Sequence, residues 1–213
     1  MAQRRDQQTA RGKLIIISGP SGVGKSTITG QLVARLADAY LSVSVTTRPQ
    51  APTEQNGREY WFISREQFLQ RIEEGLLLEY AEVFGNLYGT PRDKTEEALD
   101  AGRTVILEID VQGARQIKAM YPQAVMVFIL PPSAKILADR LTQRGRESGA
   151  VAARRLGGAA GEIAAGQYYD HMVVNDDLEQ AIAEVMQIIE QAPCIEAGPG
   201  PQGTCDGNRR PGS

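Results

Sequence analysis

The chain has 213 residues, 42% of them hydrophobic and 23% charged, and a formal net charge of -3. That length can bury a sizeable core in one domain, or in one core domain carrying insertions, while the mildly acidic balance excludes a general nucleic-acid binder, which needs a basic excess. The opening stretch MAQRRDQQTARG has no apolar signal segment, no apolar run approaches the roughly 18 residues of a membrane span, and the two cysteines, Cys194 and Cys205, both fall in a C-terminal segment poor in packing residues, so no membrane association and a cytoplasmic location are expected.

In chain order, residues 1–12 read as a flexible N-terminus. The β-branched run Lys13–Ser18 (KLIIIS) predicts a strand that ends on SGPSGVGKST, and Lys25–Ala37 repeats apolar residues at helical spacing. The loop fits G-x-x-x-x-G-K-[ST] with Gly19, Gly24, Lys25 and Ser26 at the fixed positions. Such a loop, here Gly19, Pro20, Ser21, Gly22, Val23, Gly24, Lys25, Ser26 and Thr27, turns backbone N–H groups towards the phosphates of a nucleoside triphosphate. Its lysine reaches the β- and γ-phosphates and its serine hydroxyl ligates Mg²⁺, and the helix N-terminus adds unpaired N–H groups and a favourable dipole.

Residues 42–90 break the pattern with short strands (LSVSV, YWFI, LLLEYAEV), a turn at Asn56–Gly57 and one helix opened by a capping box, Ser64 with Gln67. This stretch reads as an inserted mixed α/β subdomain. Alternation then resumes: a helix over Pro91–Ala101 with Thr90 as N-cap, a strand Thr104–Ile109, a helix Gln112–Met120, a strand Ala124–Leu130, a helix Ser133–Arg144 and a strand His171–Val174. Near-continuous apolar strands alternating with helices define an α/β fold, a parallel sheet covered on both faces. Residues 145–170, rich in Arg and Gly, form a second interruption. Residues 192–213 lack periodicity and are expected to be disordered. His171 reads as a packed residue rather than an acid or base.

The loop alone does not tell a kinase from a GTPase or an ATP-driven machine, but the chain lacks the Asn-Lys-x-Asp string of a GTPase. Over about Leu14–Glu190 it resembles the guanylate kinase family, through SGPSGVGKST, SVSVTTRP followed by NGREYWF, LLLEYAEVFGNLYGTP, LEIDVQGARQIK, RLTQRGRE and VVNDDLEQA in matching order. The resemblance implies a P-loop NTPase-type core (residues 13–41, 91–144 and 171–191), an inserted GMP-binding domain (42–90) and an Arg-rich lid (145–170). It implies ATP-dependent phosphorylation of GMP and dGMP with Mg²⁺, in a monomer or homo-oligomer. Two rivals are an interaction module that has lost catalysis and a related kinase acting on another phosphorylated small molecule.

By position, the family puts guanine-facing carboxylates at Glu79 and Glu108 and hydroxyls at Ser44 and Thr90. Guanine offers N1–H and N2–H₂ donors, so carboxylate acceptors suit it. Taken singly, Glu79 also fits the solvent face of a strand, whereas Glu108 lies inside an apolar run. Arg48, Tyr60 and Tyr88 occupy the acceptor-phosphate positions, where a guanidinium fork suits phosphate. Asp110, two residues past Glu108 and so expected on the same strand face, occupies the position of an acid that holds Mg²⁺ through water. Arg144 and Arg155 match the lid arginines that stabilise transferring charge, and Asn175 matches an adenine-side residue. Arg140, Arg146 and Arg154 add further charge to the lid. Two departures stand out: Ala51 replaces the usual second phosphate-binding Arg, and the lid helix RRLGGAAGEIAAGQYY carries interior glycines that weaken it.

Overall fold

A computed structural model describes residues 11–143, 161 and 163–196. β1 (Lys13–Ser18) runs down the middle of a five-stranded sheet, between β7 (Thr104–Glu108) and β8 (Val125–Leu130). β2 (Ala39–Leu41) lies outside β7 and β9 (His171–Val174) outside β8. Every neighbouring pair is parallel, with Ile15 opposite both Ile106 and Val125. A strand flanked on both sides and covered on both faces needs apolar residues at successive positions, and KLIIIS supplies them. Ile15 and Ile17 face one half of the core, with α1 (Lys25–Arg35) and α6 (Leu178–Gln191). Leu14 and Ile16 face the other, with α3 (Arg92–Asp100) and α4 (Val111–Met120).

The sequence marks the strands of this core closely but not β2, whose three residues are too few for a periodicity to register. The inserted stretch forms a second sheet in the order β4 (Trp61–Phe62), β3 (Val45–Thr46), β6 (Asn86–Pro91), β5 (Leu77–Val83), packed on α2 (Arg65–Glu73) through Phe68. The Ser64–Gln67 capping box is present in both directions. β5 and β6 form a hairpin whose two linking residues, Phe84 and Gly85, both have positive φ (51° and 83°). Such a pair gives a turn whose twist matches that of the strands.

The sequence reads as a helix over Pro91–Ala101 with Thr90 as its N-cap. Instead Pro91 ends β6 and is itself the N-cap of α3, without a side-chain cap bond. The reason is competition for one hydroxyl: Thr90 Oγ1 donates to Glu79 across the hairpin at 2.6 Å, so it is withdrawn from the helix end.

Two boundaries also need correction. Arg11 and Gly12, read as flexible, and Ala192–Glu196, read as disordered, are joined to each other. Arg11 N donates to Ile195 O at 3.1 Å and Ile195 N to Gly12 O at 2.9 Å, while Ile195 is fully buried. The Arg11 guanidinium pairs with Glu96 and Asp100 on α3, and Tyr121 donates its hydroxyl to Glu96 as well. A two-residue pairing of this kind is too short to appear as a pattern among Gly and Pro. Arg11→Ala removes the cation from a half-buried cluster and is expected to destabilise the fold by about 1–3 kcal/mol, read as a lower urea midpoint at unchanged slope. His171 opens β9 as expected but is exposed rather than packed. The helix Ser133–Arg144 corresponds to α5 (Ala134–Gln143), whereas most of the expected lid, including its glycine-weakened helix, lies outside the described residues.

Candidate active site

The phosphate-binding loop joins the C-terminal end of β1 to the N-terminus of α1, the edge of an open α/β sheet where ligands bind. Gly19, Gly22 and Gly24 all have positive φ. A methyl group at Gly19 would strike the carbonyl of Ile129, so only glycine lets the loop pass β8 this closely. Lys25 Nζ donates to the carbonyls of Gly19 (2.7 Å) and Pro20 (3.2 Å), which folds the ammonium over the loop it serves. Asn175, expected to face adenine, is buried behind the loop and donates Nδ2–H to Val23 O at 2.7 Å. It braces the loop backbone from behind.

The two acidic residues at the end of β7 and just beyond it occupy different places from those their spacing suggested. Glu108 accepts from Ser26 Oγ at 2.8 Å and from Thr29 Oγ1 at 3.1 Å, so its carboxylate belongs to the phosphate loop. Asp110 accepts from Gln112 N and Gly113 N as the N-cap of α4, and its charge helps to raise the pKa of Glu79. Glu108 is therefore found on the Ser26 side and Asp110 on the Glu79 side, the reverse of the expected assignment. The physical reason is that β7 stops at Glu108. Beyond it the chain turns into a helix cap, where an i, i+2 pair no longer shares a face. Thr29 was missed, although it stands one helical turn after Ser26 and so shares its face.

In the inserted sheet Glu79 is 3% exposed and Thr90 fully buried, joined by their 2.6 Å hydrogen bond. Burial, opposed by the Thr90 hydroxyl and reinforced by the Asp110 charge, pushes the Glu79 carboxyl up to about 7. Among the described residues no cation pairs with it. The solvent-face alternative for Glu79 is thereby removed. Ser44, half-buried, precedes β3 and accepts from Trp61 N through its carbonyl.

Arg48, Tyr60 and Tyr88 do come together. The Arg48 guanidinium lies 5.3 Å from the Tyr60 ring centre and 5.5 Å from that of Phe62, and Tyr60 meets Tyr88 edge-on at 5.8 Å. Burial, then the Glu108 charge, pushes the Tyr60 hydroxyl up to about 12, so it stays a donor. Glu54 grips Arg48 with both oxygens, at 2.8 and 3.0 Å, and also accepts from Ala51 N. Nothing in the local pattern announces this grip beyond an acid six residues downstream. Arg58 pairs with Glu59 at 2.6 Å, so its charge is already engaged. The lid arginines Arg144, Arg146, Arg154 and Arg155 lie outside the described residues.

A parallel sheet whose first strand delivers a glycine-rich phosphate loop, facing an inserted sheet with its own arginine, tyrosines and buried acid, defines a P-loop nucleoside monophosphate kinase. Comparison with known proteins agrees. The family model described as guanylate kinase matches residues 11–192. The guanylate kinase of Symbiobacterium thermophilum is 49% identical over 190 residues, covering 88% of this chain and 90% of that protein. That of Thermosynechococcus vestitus is 52% identical over 171 residues, 80% of this chain and 90% of its relative. The crystal structure of guanylate kinase from Anaplasma phagocytophilum superimposes with a TM-score of 0.72 at 36% identity, covering 85% of this chain and 86% of that one. The chain belongs to the guanylate kinase family.

Proposed function

We propose that the protein transfers the γ-phosphoryl group of ATP to the phosphate of GMP, and of dGMP, giving ADP with GDP or dGDP. The observation that carries this reading is Glu79: a carboxylate 3% exposed, held by a threonine hydroxyl, with no described cation. A buried acceptor of this kind is unfavourable until a ligand supplies donors, and guanine supplies N1–H and N2–H₂ where adenine presents a bare N1. Asp110 serves as the second acceptor beside Glu79, with Ser44 and Thr90 completing the polar lining. Arg48, Tyr60 and Tyr88 hold the acceptor phosphate, with Glu54 orienting Arg48.

On the donor side the loop from Gly19 to Thr27 cradles the triphosphate, Asn175 fixes the loop, and Lys25 moves from its loop carbonyls onto the β- and γ-phosphates. Ser26 Oγ and the Glu108 carboxylate fit Mg²⁺, an oxygen-seeking ion that takes few protein ligands and completes its shell with phosphate and water. When bound, the ion neutralises charge on the β- and γ-oxygens. Arg144 and Arg155 are assigned to the same charge from the lid. The chain's own residues align the two phosphates and exclude water, which is most of what phosphoryl transfer asks of a protein. We assign the GMP-binding role to residues 42–90, the lid role to 145–170 and a cytoplasmic setting to the activity.

A coupled assay with ATP and, in turn, GMP, dGMP, AMP and UMP tests the reading. Turnover is expected with the guanine nucleotides, and equal turnover of AMP would overturn it.

Ala51 makes a further prediction. Without the usual second arginine, GMP loses one charge-assisted contact, worth roughly 1.5–3 kcal/mol where the site is partly desolvated. Ala51→Arg is therefore expected to lower KM for GMP severalfold at saturating ATP with little change in kcat, the signature of restored ground-state binding. An unchanged KM would mean that another cation already fills the role.

A further inference from the structure

β5 is the outer strand of the inserted sheet, so its free edge presents unpaired main-chain groups. At Tyr80 both of these groups are taken by one side chain from outside the sheet. Gln116 on α4 donates Nε2–H to Tyr80 O at 2.8 Å, and Tyr80 N donates to Gln116 Oε1 at 3.4 Å. An amide side chain thus stands where a neighbouring strand would stand. One helical turn earlier on α4, at Gly113, a methyl group would collide with Glu79 Oε2. Gly113 and Gln116 are three residues apart and share a helix face, so the notch that receives the Glu79 carboxylate and the clamp on the next residue are one surface. Asp110 caps the same helix. Gln116 is exposed and adds nothing to the core, so packing does not account for it.

We infer that Gln116 is a positioning residue for base recognition: by fastening the Tyr80 main chain to α4 it sets the spacing between Glu79 and Asp110 that the paired donors of guanine must match. The inference rests on the guanylate kinase reading above. A clamp that only covered a strand edge would affect stability. One that sets the acceptor spacing affects the choice of base, because a buried polar site discriminates through how well its partners are met.

The test compares wild type with Gln116→Met, which keeps length and volume and removes both hydrogen bonds. KM for GMP is expected to rise about fivefold, as for loss of one well-placed hydrogen bond, with kcat within about twofold and KM for ATP unmoved. The GMP/AMP ratio of kcat/KM should fall by a similar factor. Gln116→Glu turns the donor facing Tyr80 O into a repelling oxygen and should exceed the Met variant in both effects, so either variant alone suffices if the other folds poorly. In a Glu79→Gln background the Gln116→Met effect on GMP should vanish, since Gln116 acts through Glu79. Unchanged KM and base ratio in the single variants, or equal effects in both backgrounds, would overturn the inference. A wild-type enzyme that does not prefer GMP over AMP would instead overturn the reading beneath it.

Discussion

Lys25→Ala is expected to lower kcat by at least about a hundredfold, because a preformed cation at a transferring phosphoryl group typically supplies several kcal/mol of transition-state stabilisation. The far-UV circular dichroism and the thermal midpoint should change little. Lys25 opens α1, and its ammonium donates to the carbonyls of Gly19 and Pro20 rather than packing in the apolar core. The glycines of the loop and the Asn175 brace that shape it are untouched by the substitution. KM for GMP should hold within about threefold, since the acceptor phosphate is met by the inserted sheet and not by this side chain. A variant that retains more than about a tenth of wild-type kcat would remove Lys25 from the reaction.

Glu79→Gln is the second large effect. Replacing a charged acceptor by an amide weakens two bonds to guanine and sets an NH₂ group against guanine donors, so KM for GMP should rise about tenfold or more and AMP should gain relative to GMP. The same group makes a pH signature. Its pKa is raised to about 7, first by burial. Between the ordinary carboxylate range and pH 7 the folded protein therefore holds a proton that the unfolded chain has released. The stability of the ligand-free enzyme falls as pH rises through that window. Guanine needs the ionised form, so GMP binding should weaken as pH falls below about 7. The GMP phosphate titrates in the same region, and the comparison with Glu79→Gln separates the two, because only the wild type should show the protein's share. At pH 8 the variant should melt above wild type when empty and lose that advantage with saturating GMP. A base ratio unmoved by Glu79→Gln would reduce Glu79 to a structural residue.

Much of this site is legible in the chain where local chemistry and tertiary context agree. The loop from Gly19 to Thr27 is readable because backbone conformation and phosphate contact make the same demand on the same residues. The strand β1 is readable because a central parallel strand has no polar face to vary. The exchange of Glu108 and Asp110 was not legible. It depends on β7 ending one residue before Ile109, and an apolar isoleucine continues a strand pattern as readily as it ends one. Thr90 was misread for a related reason: a threonine before a proline suits a helix cap locally, and only the hairpin brings Glu79 within its reach. Gln116 and Glu54 left no pattern at all, because each acts on a partner that the fold delivers and no spacing encodes. The pairing of Arg11 and Gly12 with Ile195 was hidden in segments whose composition resembles linker.

That last pairing has a geometric consequence. With residues 11 and 12 hydrogen-bonded to residue 195, the described chain closes on itself, and both ends leave from the α3 side of the sheet, beside Glu96 and Asp100 rather than beside the phosphate loop or the inserted sheet. The fold is in effect a ring with a small gap. A covalent joint between Arg11 and Glu196 would then leave the order of every described strand, and the placement of the described site residues, as they are.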